Sequence, residues 1–363
     1  MKIGIDISPM GEPNYTGVGV YTENLIKSLA KIDSDNDYYL CYRLSRLKKK
    51  WLANPVNQSN FHFKIIQEPL NFLFERKLDI FHGSERLPNY RRPKKIVTIH
   101  DMAAVLGGDF MTDDFREMIK DRYGRLVKTA DRIITVSENT KRDLCEYYKL
   151  APSLVDVTYQ GISEKFRPLP EDTINEVLGR HGLTKPYILN VGALQERKNI
   201  LRIIEAFGRY MNAGGDANTK LVLCGKPTYA FDRIPKKIAE LGLEEKVVIL
   251  QYMANDDLVA LYNGAMMLCF PSLFEGFGLP IVEAFACGCP VITSNITSMP
   301  EVAGDAALLV DPLSVEDIES AMRSLTNESE RKRLIEKGLE RAKVFVWGNI
   351  AKKVLDIYKS VVQ

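Results

Sequence analysis

The sequence predicts an α/β protein built from two doubly wound parallel sheets, and three observations carry that reading. Short apolar runs alternate with amphipathic helical runs along the whole chain, which is the pattern of strands covered by helices. The series starts afresh near residue 187 after proline punctuation at Phe166-Arg-Pro-Leu-Pro170. A chain of 363 residues is long enough for two separate cores.

Taken in order, the first series has strands at Lys2–Ile7, Tyr38–Tyr42, Phe63–Ile66, Ile80–His82, Ile96–His100, Ile133–Val136 and Val155–Val157. Helices are expected near Tyr21–Ile32, Asp114–Thr129 and Glu138–Tyr148, the last opened by Ser137. Residues 168–185 read as the join. The second series has strands at Tyr187–Val191, Lys220–Cys224, Val247–Leu250, Met267–Phe270, Val291–Thr293 and Ala307–Val310. Its helices fall near Ile200–Met211, Phe231–Leu241, Asp256–Asn263, Pro280–Cys287, Val315–Leu325 and Glu328–Val346, with a last amphipathic run at Asn349–Val362. Domains are therefore expected at 1–170 and 171–345, with 346–363 as a terminal helix. Open α/β sheets bind ligands at the carboxyl ends of their strands, so two such halves imply a cleft.

Composition excludes several classes. Apolar residues make up 45% and charged residues 26%, as in ordinary soluble proteins, and a net charge of +2 argues against a nucleic-acid binder. Six scattered cysteines include no C-x2-C pair, so reduced thiols are expected. No secretory core opens the chain, and no stretch approaches about 18 apolar residues. A cytoplasmic protein is expected. Charge is uneven, however: residues 43–95 hold thirteen Lys and Arg against four acids. Arg43, Arg46, Lys48, Lys49 and Lys50 precede Trp51, and Arg91-Arg-Pro-Lys-Lys95 follows. A peripheral contact with anionic membrane and a plain solvated face both fit this segment, and the sequence leaves the two open.

The segment from Pro271 to Gly288 carries the most chemistry. Glu275 lies in a glycine-broken loop, and Glu283 lies just inside a helix opened by Pro280. Proline suits a helix start, and the free N–H groups and dipole there attract anions. Gly276 and Gly278 let backbone approach a ligand. Two carboxylates would repel a bare phosphate, but they suit the hydroxyls at either end of a sugar nucleotide. The alternative is a surface loop and an ordinary capped helix. The segment resembles the E-x7-E motif of the family-four (group 1) retaining glycosyltransferases, which have the GT-B fold, and the likeness extends along most of the chain. That resemblance implies that Glu283 holds ribose hydroxyls, that Glu275 meets the transferred sugar, and that the backbone N–H groups around Phe277, Gly278 and Leu279 face the phosphates. It also implies a terminal helix that crosses back to the first domain.

Other residues extend the comparison. Arg197 and Lys198 follow the strand Tyr187–Val191, where two cations can neutralise a diphosphate. Lys198 matches the lysine of the family's G-R-L-x-x-x-K segment. Ala193 stands where the family carries arginine, which leaves Arg197 as the substitute. Thr16-Gly-Val-Gly-Val-Tyr21 lacks the third glycine of a dinucleotide fingerprint. It reads as a glycine-rich loop in which Gly17 and Gly19 touch phosphate or acceptor, or as a plain flexible loop. His100-Asp101 resembles the family's I-H-D segment, in which the histidine sits by the transferred sugar and Asp101 would orient its ring. His82 reads equally as structural. Gln251-Tyr252-Met253 follows a strand where the family seats the base, so Tyr252 and Met253 are candidates there. Lys226 reads equally as facing the cleft or as an exposed loop lysine, and Ser294-Asn295 and Ser298-Met-Pro-Glu301 resemble a family loop near the base site, with a helix cap as the alternative for Glu301. Asp33-Ser-Asp35 spells D-x-D but lies in a polar turn and reads as solvated loop, so no metal is called for.

The function expected is metal-independent, retaining transfer of a hexose from a nucleoside diphosphate sugar to an acceptor glycan, either lipid-linked or free. GDP-mannose is the favoured donor because the Ile-His-Asp and Asn190-Val-Gly-Ala-Leu segments look like those of bacterial mannosyltransferases. A non-hydrolysing sugar-nucleotide epimerase and an inactive sugar-nucleotide-binding protein are the alternatives.

Overall fold

The computed structural model describes residues 1–11, 17–46, 55–67, 72–108, 110–228, 231–251, 253 and 255–362. The chain divides into two compact units, one of residues 1–161 with 345–363 and the other of residues 162–344. The division thus falls nine residues ahead of the expected domain boundary at 170. Residues 47–54, the centre of the basic cluster, lie outside the described residues, as does Tyr252.

In the first unit, β1 (Lys2–Asp6), β2 (Asp37–Arg43), β3 (Phe61–Ile66), β4 (Ile80–Ser84), β5 (Lys94–Ile99), β6 (Arg132–Thr135) and β7 (Val155–Val157) form one sheet in the order β3-β2-β1-β4-β5-β6-β7. In the second, β8 (Tyr187–Val191), β9 (Lys220–Cys224), β10 (Val247–Leu250), β11 (Met267–Phe270), β12 (Val291–Ser294) and β13 (Ala307–Val310) take the order β10-β9-β8-β11-β12-β13. Every strand pair is parallel. Both sheets are therefore doubly wound, with chain order reversing at β1 and at β8. The near-continuous apolar runs of β8 and β11 are buried throughout, as strands covered on both faces must be.

The helix Trp347–Val362 belongs to the first unit and packs on the helix Gly17–Ile32. Its Tyr358 hydroxyl pairs with Nδ1 of His82 at 2.6 Å, and Thr98 Oγ1 meets His82 Nε2 at 2.8 Å. His82 is thus a satisfied core group. Burial, with His100 nearby, lowers its pKa to about 3 and keeps it neutral.

Three expectations need correcting. The segment read as the join contains a helix, Glu171–Arg180, which buries Ile174, Val177 and Leu178 on one face. Acids in its first turn and Arg180 in its last suit the helix dipole. Gly17 and Gly19 are not loop residues but stand in the opening turn of the helix Gly17–Ile32. Asp33 is not solvated: it is buried and accepts hydrogen bonds from Asn36 Nδ2 at 2.7 Å and the Tyr38 hydroxyl at 2.5 Å, as the anchor of a turn.

Candidate active site

The site is assembled in the second unit from loops leaving two adjacent strands. β8 has β9 on one side and β11 on the other, so the loops leaving β8 and β11 diverge and leave room for a ligand. The first carries Arg197 and Lys198 into the helix Ile200–Asn212, and the second carries Glu275 into the helix Leu279–Ala286.

Apolar spacing places the cations. Ile200, Ile203, Ile204 and Phe207 share the buried face of their helix, which pins the turn ahead of it. Asn199 takes a left-handed conformation at φ 62°, which asparagine tolerates. Its Nδ2 donates to the carbonyls of Pro271 at 3.0 Å and Pro312 at 2.6 Å. The Leu273 N–H donates to the Arg197 carbonyl at 2.9 Å. Ser298 closes the loop from the far side, its hydroxyl within 3.0 Å of the Glu275 carbonyl and 3.1 Å of the Phe277 carbonyl. Ser298→Ala is therefore expected to leave buried acceptors unsatisfied and lower stability by about 1–3 kcal/mol. A fall in the unfolding midpoint, together with a raised KM for the donor, would check this.

These constraints bring Glu275 onto both cations. Arg197 Nη1 lies 3.1 Å from Glu275 Oε2 and donates to the Phe274 carbonyl at 2.5 Å. Lys198 Nζ donates to Glu275 Oε1 and sits 4.6 Å from the centre of the Phe270 ring, an added cation–π contact. The three side chains are only 10–14% exposed, so solvent screens the cluster weakly. Burial is the largest influence on the Glu275 carboxyl and acts upward, but the charges of Arg197 and then Lys198 outweigh it and hold the pKa below the ordinary value. Two cations and one anion leave the cluster with a net positive charge.

Glu283 has the opposite surroundings. Its Oε2 accepts from the buried Tyr262 hydroxyl at 2.7 Å. Burial pushes its pKa up to about 7, against the smaller lowering effects of that hydrogen bond and of Lys198. The helix that carries it begins at Leu279, so Pro280 is its second residue rather than its first. Gly278 precedes it at φ 100°, a conformation open to glycine and strained for other residues. The first N–H groups of that helix have no intrahelical acceptor, and Phe277, two residues ahead of the helix, is buried.

The structure thus gathers Glu275, Arg197 and Lys198 into one cluster and sets Phe277, Gly278, Leu279 and Glu283 on the same loop and helix. Met253 is buried just after β10, two strands away from β8. His100, Gly17 and Gly19 belong to the first unit. His100 is buried, which lowers its pKa to about 4, and among the described residues its Nε2 has no hydrogen-bond partner. Asp101 does not fill the expected orienting role through Oδ1, which accepts the Ala103 N–H at 2.9 Å. Asn199 and Tyr262 are site residues that sequence reading passed over. Asparagine just ahead of a strongly amphipathic helix was the available signal for the first. Nothing local marks the second.

Two doubly wound sheets, with an acid-and-cation cluster beside a helix start at the switch point of the second, define a glycosyltransferase of the GT-B class. Residues 15–166 match Glycosyltransferase Family 4, and residues 175–341 match Glycosyl transferases group 1. The chain belongs to this group of glycosyltransferases. It is 27% identical over 381 aligned positions to O-antigen chain mannosyltransferase B of Escherichia coli, an alignment covering 99% of this chain and 100% of that protein. Sucrose-phosphate synthase from Thermosynechococcus elongatus shares the fold at a TM-score of 0.77 and 20% identity, over 99% of each chain. WaaG, a glycosyltransferase involved in lipopolysaccharide biosynthesis, does so at 0.74 and 17%, over 98% of this chain and 99% of its own. No helix among the described residues is long and apolar enough to cross a membrane.

Proposed function

We propose that this chain moves mannose from GDP-mannose to an acceptor hydroxyl of a cell-surface glycan, with retention of anomeric configuration and without a metal ion. The observation that carries the reading is the Glu275 cluster with Arg197 and Lys198, set one short loop ahead of the helix Leu279–Ala286. In this reading the diphosphate lies against the start of that helix, where N–H groups and the dipole favour negative charge. As the sugar–oxygen bond breaks, charge grows on the departing phosphate, and the net positive cluster stabilises it. Glu275, held ionised by its two cations, accepts hydroxyls of the transferred sugar. Glu283 accepts the ribose hydroxyls. The leaving phosphate receives the acceptor's proton on the face where the new bond forms, so no dedicated base is required. The mannosyl donor is supported by the full-length likeness to a mannosyltransferase.

Thermal shift with GDP, UDP, ADP and TDP tests the donor. A nucleotide at a hundred times its dissociation constant stabilises by about 2.7 kcal/mol, and GDP is expected to give the largest shift. Proton NMR of the product from α-linked GDP-mannose should show an α-anomer. No shift with any of the four, or epimerisation of the donor sugar in the absence of acceptor, overturns the reading.

A further inference from the structure

We propose that Glu85 positions the acceptor, its carboxylate receiving hydrogen bonds from hydroxyls of the sugar to be extended; this rests on the glycosyl-transfer reading above. Glu85 directly follows β4, and β4 neighbours β1, where chain order in the first sheet reverses. Loops part at such a point and leave a crevice at the carboxyl ends of the strands. The Glu85 N–H donates to the Thr98 carbonyl of β5 at 2.9 Å. That bond sets Glu85 beside the strand end that carries His100 and Asp101.

The turn holding Glu85 is built tightly. A Cβ on Gly83 would stand 1.9 Å from the Arg86 carbonyl oxygen, so only glycine admits this approach. Glu85 itself is left-handed at φ 53°, a conformation unfavourable for a long side chain. Its Oε1 accepts the hydroxyl of the buried Tyr123 at 3.1 Å, from the helix Asp113–Thr129. Burial and then the neighbouring Asp101 raise its pKa to about 7, against the Tyr123 hydrogen bond, the Arg122 charge and the His100 backbone. An acid in a strained turn, half-buried and beside a second acid, opposes folding on three counts. Strain of this kind persists at working sites.

The chemistry selects the ligand. Two neighbouring carboxylates, with the single Arg122 charge close by, disfavour a phosphate and favour a neutral polyol. An ionised carboxylate only accepts hydrogen bonds and has room for several, so one bond from Tyr123 leaves capacity for sugar hydroxyls. The buried Nε2 of His100, without a partner among the described residues, adds a further polar atom at the same strand end.

Transfer from GDP-mannose to methyl α-D-mannoside and its 1,2- and 1,3-linked dimers tests this, with Glu85→Gln and Glu85→Gly. Glutamine keeps the volume and removes the charge, whereas glycine relaxes the backbone. Both variants are expected to raise the acceptor KM at least tenfold, leave the GDP-mannose KM within twofold, and retain donor hydrolysis. Glu85→Gly should melt no lower than the wild type. The wild-type acceptor KM should fall as pH rises from 6 to 8, and Glu85→Gln should be flat. Unchanged acceptor KM in both variants, or donor KM rising in parallel, overturns the assignment. Hydrolysis of GDP-mannose by a wild-type enzyme that accepts no mannoside also counts against Glu85 while leaving the donor reading intact. Absence of any donor turnover removes both.

Discussion

Replacing Glu275 with alanine is expected to lower kcat by about a hundredfold or more, in the range seen when an electrostatic group at a reacting centre is removed. Stability should fall as well. Arg197 and Lys198 share this carboxylate in a cluster largely shielded from water. Removing one partner of a buried ion pair costs about 3–5 kcal/mol, because the charges left behind are uncompensated. Glu275→Gln separates the two effects, since an amide still accepts a hydrogen bond but carries no charge. Turnover should remain low in Glu275→Gln with GDP affinity largely retained. Full transferase activity in either variant would remove Glu275 from the chemistry.

Glu283→Gln is expected to weaken GDP binding by about ten- to a hundredfold, with most of the loss above neutral pH. The Glu283 carboxyl has a pKa of about 7 through burial, so the wild-type carboxylate forms only as pH passes through neutrality. GDP affinity should therefore rise with pH, approaching tenfold per unit below 7 and levelling off above it. In Glu283→Gln that dependence should vanish. The stability of the unliganded protein should run the other way. A carboxyl whose folded pKa is raised above the ordinary 4.5 contributes stability that is fully present below 4.5 and is lost as pH rises through about 7. Isothermal titration between pH 6 and 8, beside melting curves over the same range, measures both signs. A pH-independent affinity in the wild type would contradict ribose binding by the ionised acid.

Strand positions were legible because a parallel strand buried on both faces must be apolar along its length, and β8 and β11 read that way without context. The helix Glu171–Arg180 was hidden because Pro168 and Pro170 mimic a linker, although Ile174, Val177 and Leu178 already showed helical spacing. The left-handed Asn199 and Glu85 could not be read, because neither residue type dictates that conformation. The two acids of E-x7-E were identifiable as a pair, but their opposite electrostatics were not. Glu275 meets cations 78 and 77 positions away, and Glu283 meets Tyr262, 21 positions away. The first are supplied by the adjacency of β8 and β11 in the sheet and the second by the helix Asn255–Gly264 ahead of β11, neither of which local pattern encodes.

The most direct measurement is a crystal structure of the protein with GDP-mannose. The diphosphate is expected within hydrogen-bonding distance of the backbone N–H groups at Gly278 and Leu279, with Arg197 and Lys198 reaching its oxygens and the ribose hydroxyls on Glu283. A donor bound away from the carboxyl ends of β8 and β11, or one whose ribose leaves Glu283 paired only with Tyr262, would contradict it.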